Sequence, residues 1–242
     1  MEQRFPMQHS HIIAMGGGGF SMEPDNLRLD HYILEKAGKP NPVVCFVPTA
    51  GGDSDEYIGQ FYQSYQKLPC RPRHLPLFKP PGDIAGCIAE SDVIYVGGGN
   101  TRNLLAIWRE WGVDTLLRQA WEKGTLLCGL SAGAICWFEH GVTDSAGPLA
   151  PLQCLGFLSG TCVPHYDAQT HRRPAFHEFL RQDLLTNGYG LDDGAAAYFV
   201  DGEVSEFVSS RAHARAFHVR KENGNVIEEP LTTRLLPTPP GS

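Results

Sequence analysis

The stretch "LLCGLSAGAICWF", residues 126–138, decides the fold. Leu126–Leu130 is apolar without alternation, the pattern of a strand covered on both faces of a parallel sheet. The polarity then changes at one residue, Ser131, which has Gly129 two places before it and Gly133 two places after, with alanines between and beyond. A strand that turns at once into a helix needs small neighbours, and it lifts the side chain at the turn above the sheet; this is the nucleophile-elbow arrangement. The N–H of Ala132, at the start of that helix, then faces a developing oxyanion. The alternative is that Ser131 merely caps the helix, as serines often do.

Working outward, apolar runs rich in β-branched residues alternate with helix-like stretches. "HIIAM" (11–15) precedes a helix over Pro24–Lys36, "VVCFVPT" (43–49) one over Asp53–Gln66, "RHLPLF" (73–78) one over Ile84–Glu90, and "DVIYV" (92–96) one over Thr101–Glu110. Such alternation predicts βαβ units, hence an α/β fold with a mostly parallel central sheet flanked by helices. Ala146–Cys162 reads as turns and short runs, and a helix follows over Arg172–Leu185. The pattern changes after Asp193: "AAAYFV", "VSEFV", "ARAFHVR" and "NVIEEPL" are short strands between turn residues, which predicts a closing C-terminal antiparallel hairpin or meander. Residues 1–236 read as one α/β domain and 237–242, "PTPPGS", as a disordered tail.

Charge and cysteine usage narrow the function classes. The net charge is −7 with no basic stripe, so nucleic acid is an unfavourable partner and a small molecule or peptide a favourable one. Seven cysteines, Cys45, Cys70, Cys87, Cys128, Cys136, Cys154 and Cys162, stand without a CxxC pair and mostly in apolar runs. That is the usage of reduced thiols in the cytoplasm, with no disulfide framework and no metal site. The N-terminal "MEQRFPMQHS" lacks the apolar core of a signal peptide, and no run approaches the length of a membrane span, so no membrane partner is expected. No cofactor is expected either. A strand edge left exposed in the C-terminal meander offers a homodimer contact.

Two glycine clusters end predicted strands, "MGGGGF" (15–20) and "VGGGNT" (96–101), at the carboxyl edge where open α/β sheets bind ligands. The first reads as a tight turn; no acidic residue at a later strand end makes it a dinucleotide site. The second opens a helix, so Gly98 or Gly99 can supply a second oxyanion donor, and Asn100 beside them a substrate contact. A serine nucleophile needs a base. His165, in "CVPHYD" (162–167) after the strand "GTCV", is the best placed of ten histidines, its alternative role being that of a loop histidine satisfied by backbone.

"VGGGNT", "GLSAGA", "VPHYD" and "GLDDGAA", in this order over residues 43–207, resemble the dipeptidase E family of serine peptidases, aspartyl dipeptidases related to cyanophycinase. The resemblance implies a fold similar to class I glutamine amidotransferases and a Ser–His–carboxylate triad that cleaves dipeptides beginning with aspartate. It implies that Ser131 is the nucleophile and His165 the base. The third member falls in "GLDDG", where the family's better-known enzymes carry glutamate and this chain has aspartate, one methylene shorter, at Asp193. Asp144, Asp192 and Glu203 are its rivals. Asp144 lies beyond the helix after Ser131 and Glu203 at the far end of a strand, whereas an extended "DD" pair points one aspartate at the histidine and the other at solvent.

Recognition of an N-terminal aspartate asks for a guanidinium, and "THRRPAF" (170–176) supplies Arg172 and Arg173 after the histidine loop. The resemblance favours Arg173; both could equally be solvated charges at a helix start. Two other readings stand beside the Asp-X dipeptidase: a cyanophycinase-like or other acyl or β-aspartyl hydrolase, and a catalytically silent protein holding a small anion in the glycine-lined crevice.

Overall fold

The structure, a computed structural model, describes residues 9–79 and 82–239. From the amino end, β1 (His11–Met15) runs into a short helix α1 (Gly19–Met22) and then α2 (Arg28–Lys36). β2 (Val43–Val47) passes through a 3-10 turn at Thr49–Gly51 into α3 (Asp55–Tyr65), and β3 (Arg71–His74), α4 (Ile84–Ala89), β4 (Val93–Val96), α5 (Thr101–Trp111) and α6 (Val113–Glu122) follow. β5 (Leu126–Leu130) ends in α7 (Ala132–Ile135). Then come β6 (Phe138–Thr143), β7 (Ala150–Gln153), β8 (Leu158–Val163), α8 (Arg172–Arg181) and β9 (Gly188–Leu191). The chain closes with β10 (Ala195–Val200), β11 (Glu203–Ser209), β12 (Ala216–Glu222), β13 (Asn225–Leu231) and β14 (Thr233–Leu235).

The central sheet has the order β14-β11-β10-β1-β5-β4-β2-β3, parallel from β1 to β3. β5 sits inside it, with Ile13 opposite Cys128 on one side and Val96 opposite Gly129 on the other. Its side chains alternate between two cores, as a twice-covered strand requires. Leu127 joins Ile12, Ile94, Trp108 and Trp137 on one face; Leu126, Cys128 and Leu130 join Ile13, Tyr95, Phe20 and Phe61 on the other.

The C-terminal strands depart from a single closing meander. β10 extends the central sheet antiparallel to β1 and β11 pairs antiparallel with β10, while the β12–β13 hairpin joins a second sheet of order β13-β12-β9-β8-β6-β7. Strands β7 and β8 of that sheet fall in the stretch that reads as turns and short runs in the sequence, and β6 precedes it. The helix expected over 24–36 begins only at Arg28, the one expected over 172–185 stops at Arg181, and α6 appears where no element is expected. Of the expected tail, 237–239 are described, with Arg28 Nη2 donating to Thr238 Oγ1 at 2.6 Å, and 240–242 lie outside the described residues, as does the N-terminal segment 1–8. Among the described residues no helix is long and apolar enough to cross a membrane.

Candidate active site

Ser131 sits at φ 54°, ψ −113°, between the end of β5 and the start of α7. That conformation is strained for a residue with a Cβ and marks the elbow. The turn closes because its flanks have no side chains: a Cβ on Gly133 would collide with Val96 O, and one on Gly129 would lie 2.5 Å from Gly133 O. Ala132 opens α7, so its N–H is among the donors a helix leaves without an intrahelical partner.

His165 follows β8, on the second sheet, and also has a positive φ of 53°. Asp193 lies on the connection from β9, in the second sheet, to β10, in the central one. The two side chains meet with His165 Nδ1 2.6 Å from Asp193 Oδ1. Both are largely shielded, at 12% and 9% exposure. The Asp193 N–H is held in turn by Asp167 Oδ1 at 2.9 Å.

Three successive carbonyls bind the three segments together. The N–H of Ser131 donates to Met15 O at 3.2 Å, that of His165 to Gly16 O at 3.1 Å, and that of Gly194, directly after Asp193, to Gly17 O at 3.0 Å. The first glycine cluster therefore does more than turn the chain. A Cβ on Gly16 would strike the carbonyls of Leu191 and Asp192, and one on Gly17 would strike the Asp193 carboxylate. These glycines let the strand end of β1 press flat against the β9–β10 connection.

The other acids go elsewhere. Asp192 is buried rather than solvated, and its Oδ2 accepts the Arg215 N–H at 2.9 Å; burial pushes its carboxyl up to about 6, against the pull of that hydrogen bond. Asp144 lies 3.6 Å from Arg172, and Glu203 is exposed on β11.

Around the second glycine cluster, several expected donors are already engaged. Gly98 N–H donates to the Tyr57 hydroxyl at 3.0 Å, whereas the N–H of Gly99 has no hydrogen-bond partner among the described residues. A Cβ on Gly98 would lie 3.4 Å from that of Ser131, so the cluster and the elbow are direct neighbours. The N–H groups of Thr101 and Arg102, in the first turn of α5, donate to Ser145 Oγ at 3.0 and 3.4 Å. Asn100, read from sequence as a substrate contact, spends both ends of its amide: Oδ1 accepts the Asn103 N–H at 2.9 Å and Nδ2 donates to Ser145 O at 3.0 Å.

Neither arginine stands free. Arg172 is 4% exposed; its Nη1 donates to Val142 O at 2.8 Å and its Nε to Gln169 Oε1 at 2.5 Å, which pins α8 to β6. Arg173 forms a two-pronged pair with Glu228, Nε to Oε2 at 3.0 Å and Nη2 to Oε1, with its guanidinium over the Phe217 ring. Glu228 also accepts from the Tyr166 hydroxyl at 2.6 Å and contacts His177 Nε2 at 2.8 Å. A cation the sequence did not single out lies against the Asp193 turn. The stem of Arg211 lies where a Cβ on Gly194 would meet it at 3.0 Å, and its Nε donates to Glu23 Oε1 at 2.7 Å. Arg211 and Tyr57 come from segments with no motif of their own, so only the glycine runs they touch could have pointed to them.

The family model "Peptidase family S51" matches residues 12–207. The chain is 55% identical over 226 residues to a Bacillus subtilis protein named "Uncharacterized peptidase YgaJ", covering 93% of this chain and 98% of the relative. It is 28% identical over 186 residues to Peptidase E of Haemophilus influenzae, covering 72% and 83%. In fold it is similar to a peptidase from an acI-B1 actinobacterium, at a TM-score of 0.71, 17% identity and 94% and 96% coverage. A Listeria monocytogenes protein described as a putative peptidase E gives a TM-score of 0.58 at 19% identity, with 93% and 100% coverage. An elbow serine and a histidine–aspartate pair, in segments tied to the carbonyls of residues 15–17, on a chain the S51 model covers over most of its length, make the conclusion plain: this chain belongs to peptidase family S51 and is a serine-type peptidase.

Proposed function

We propose that the enzyme hydrolyses dipeptides with an N-terminal aspartate, through an acyl-enzyme on Ser131. The observation that carries the reading is the 2.6 Å contact of His165 Nδ1 with Asp193, in segments tied with the elbow to the carbonyls of residues 15–17. With its Nδ1–H donated to the carboxylate, His165 presents a basic Nε2 to the crevice. It takes the Ser131 proton as Oγ attacks the scissile carbonyl, and the N–H groups of Ala132 and Gly99 receive the charge that grows on the carbonyl oxygen. The proton then passes to the departing amine. Water, deprotonated by the same imidazole, releases the N-terminal aspartate.

Selection of aspartate is assigned to Arg173, at the start of α8. Its pairing with Glu228 keeps the guanidinium fixed and planar, and an incoming carboxylate shares or displaces that partner.

The test is a panel of Asp-X and X-Leu dipeptides with free amino acids measured as product. Preferential release of aspartate, abolished in Ser131→Ala and accompanied by phosphonate labelling at Ser131, is the expected result. Turnover should fall by several orders of magnitude in Ser131→Ala with an unchanged circular dichroism spectrum. Arg173→Met should lower kcat/KM on Asp-Leu about tenfold or more beyond its effect on Asn-Leu. Equal losses on both substrates would remove Arg173 from recognition, and a selective loss in Arg211→Met would move the role there.

A further inference from the structure

On the far side of β2 from the aromatic core, two thiols face each other outside the active site. Cys45, in the middle of β2 and fully buried, has its Sγ 3.7 Å from Sγ of Cys87, on α4, which is only half-buried. Arg73, on the neighbouring strand β3, is anchored beside Cys87: its Nη2 donates to Cys87 O and, at 2.8 Å, to Ser91 Oγ, while its Nη1 pairs with Glu90 at 3.1 Å. Its Nε is buried without a hydrogen-bond partner among the described residues. A guanidinium brought to a thiol pair with one of its donors left unspent favours a thiolate there.

We infer that Cys45 and Cys87 form a peroxide-reactive dithiol, with Cys87 the attacking thiolate and Cys45 the resolving thiol. The charged groups around Cys87 agree with this order. The hydrogen bond from Cys45 brings the Cys87 pKa down to about 7, and Arg73 adds to this against burial and the charges of Glu90 and Asp83. Cys45 moves the opposite way, raised by the same hydrogen bond and by burial. Cys70 is the internal contrast: also half-buried, it donates to Tyr65 O at 3.4 Å, and burial pushes it up to about 11.

The chemistry balances with one hydroperoxide. Cys87 thiolate attacks one oxygen of hydrogen peroxide; the S–O bond forms, the O–O bond breaks, and the departing hydroxide becomes water by taking up the proton that the Cys87 thiol had released to solvent. Cys45 sulfur then attacks the Cys87 sulfenic acid. The S–S bond forms, the S–O bond breaks, and the leaving hydroxide takes up the Cys45 proton as water. Two thiols lose two electrons and the peroxide oxygens become two waters. The product links α4 to β2 covalently and is reversible by an external dithiol.

The wild-type protein tests this directly. It is treated with hydrogen peroxide at neutral pH, and its non-reduced proteolytic peptides are mapped by mass. A peptide pair joined through Cys45 and Cys87, lost on dithiothreitol treatment, is expected as the main oxidation product. Before oxidation, iodoacetamide should label Cys87 at least about tenfold faster than Cys70. Cys45→Ser, which keeps a hydrogen-bond donor beside Cys87, should instead accumulate a dimedone-trapped sulfenic acid on Cys87. Equal labelling rates for Cys87 and Cys70, or peroxide oxidation that leaves the Cys45 and Cys87 peptides unlinked, would overturn the inference. Peptidase activity enters none of these readouts, so they stand apart from the substrate proposal.

Discussion

At the scale of single residues, the two aspartates of "GLDDG" differ by which way the turn points them. Asp193 Oδ1 meets His165 Nδ1 at 2.6 Å, while Asp192 Oδ2 takes the Arg215 N–H at 2.9 Å. Both are buried, so burial does not separate them; partner identity does. Asp193→Asn replaces an acceptor by an amide that either donates to Nδ1 or holds the wrong tautomer, and it cannot stabilise an imidazolium. It should lower kcat by on the order of 10³–10⁴ with little change in thermal midpoint. Asp192→Asn keeps an oxygen for the Arg215 N–H and should change kcat by less than about tenfold. Steady-state kinetics on one good substrate decide between them, and a reversed ranking would transfer the orienting role to Asp192. The shorter aspartate reaches its histidine because Gly17 leaves room: any Cβ there would strike the carboxylate.

At the scale of elements, the elbow was legible and the second sheet was not, for opposite physical reasons. β5 is apolar at every position because both faces are covered, and the glycines on either side of Ser131 are required where the turn packs against itself and the end of β4. β6 and β7 carry Glu139, His140, Pro151 and Gln153; β7 pairs only with β6, and β6 reaches β8 at partners about twenty residues away across a register shift. No local period announces such strands. The glycine run at 16–19 announced a turn, but that the carbonyls of residues 15–17 collect N–H groups from residues 131, 165 and 194 is a property of the assembled sheets. At α5 the same limit misdirected the sequence reading. An Asn before a helix in a ligand crevice suits both a cap and a substrate contact, and the structure gives its amide to Asn103 and Ser145. Asn100→Ala should therefore cost about 1 kcal/mol of unfolding free energy in urea. Its KM should stay within about twofold of wild type; a large rise in KM with unchanged stability would restore the substrate role.

At the scale of the whole molecule, one buried carboxyl links pH to stability. Asp30, on α2, is 0% exposed beneath the first glycine loop, and burial pushes it up to about 7 despite hydrogen bonds from the Tyr65 hydroxyl, at 3.0 Å, and the Phe20 backbone. Its Oδ2 and the Tyr95 hydroxyl both lack hydrogen-bond partners among the described residues. Because the folded value lies above the unfolded one of 3.8, the native state binds more protons between about pH 4 and pH 7. Stability therefore falls as pH rises through that window and levels off above it. A shift of about three units corresponds to on the order of 4 kcal/mol of lost stability. Asp192, raised to about 6 by burial, adds a smaller fall of the same sign. The histidines lowered by burial, His11, His31, His74, His177 and His218, act oppositely, since each must charge in the unfolded chain as pH drops through the unfolded value of 6.5. Glu206 acts mainly at and below the lower end of the window, with stability rising with pH: burial would raise it, but its bonds to Arg234, Lys36 and Tyr32 bring it from 4.5 down to about 2. The wild-type profile is thus a sum of opposing slopes, and only a difference isolates Asp30. Asp30→Asn keeps the size and an acceptor for Tyr65, and offers N–H donors that suit the Tyr95 oxygen. Whatever constant the amide adds or subtracts, urea unfolding at pH 4.5 and pH 8 should show the variant gaining stability relative to wild type at the higher pH, by on the order of a few kcal/mol. A difference between the two proteins that is the same at both pH values would mean Asp30 stays ionised in the native state, with its charge carried by Tyr65 and the Phe20 N–H.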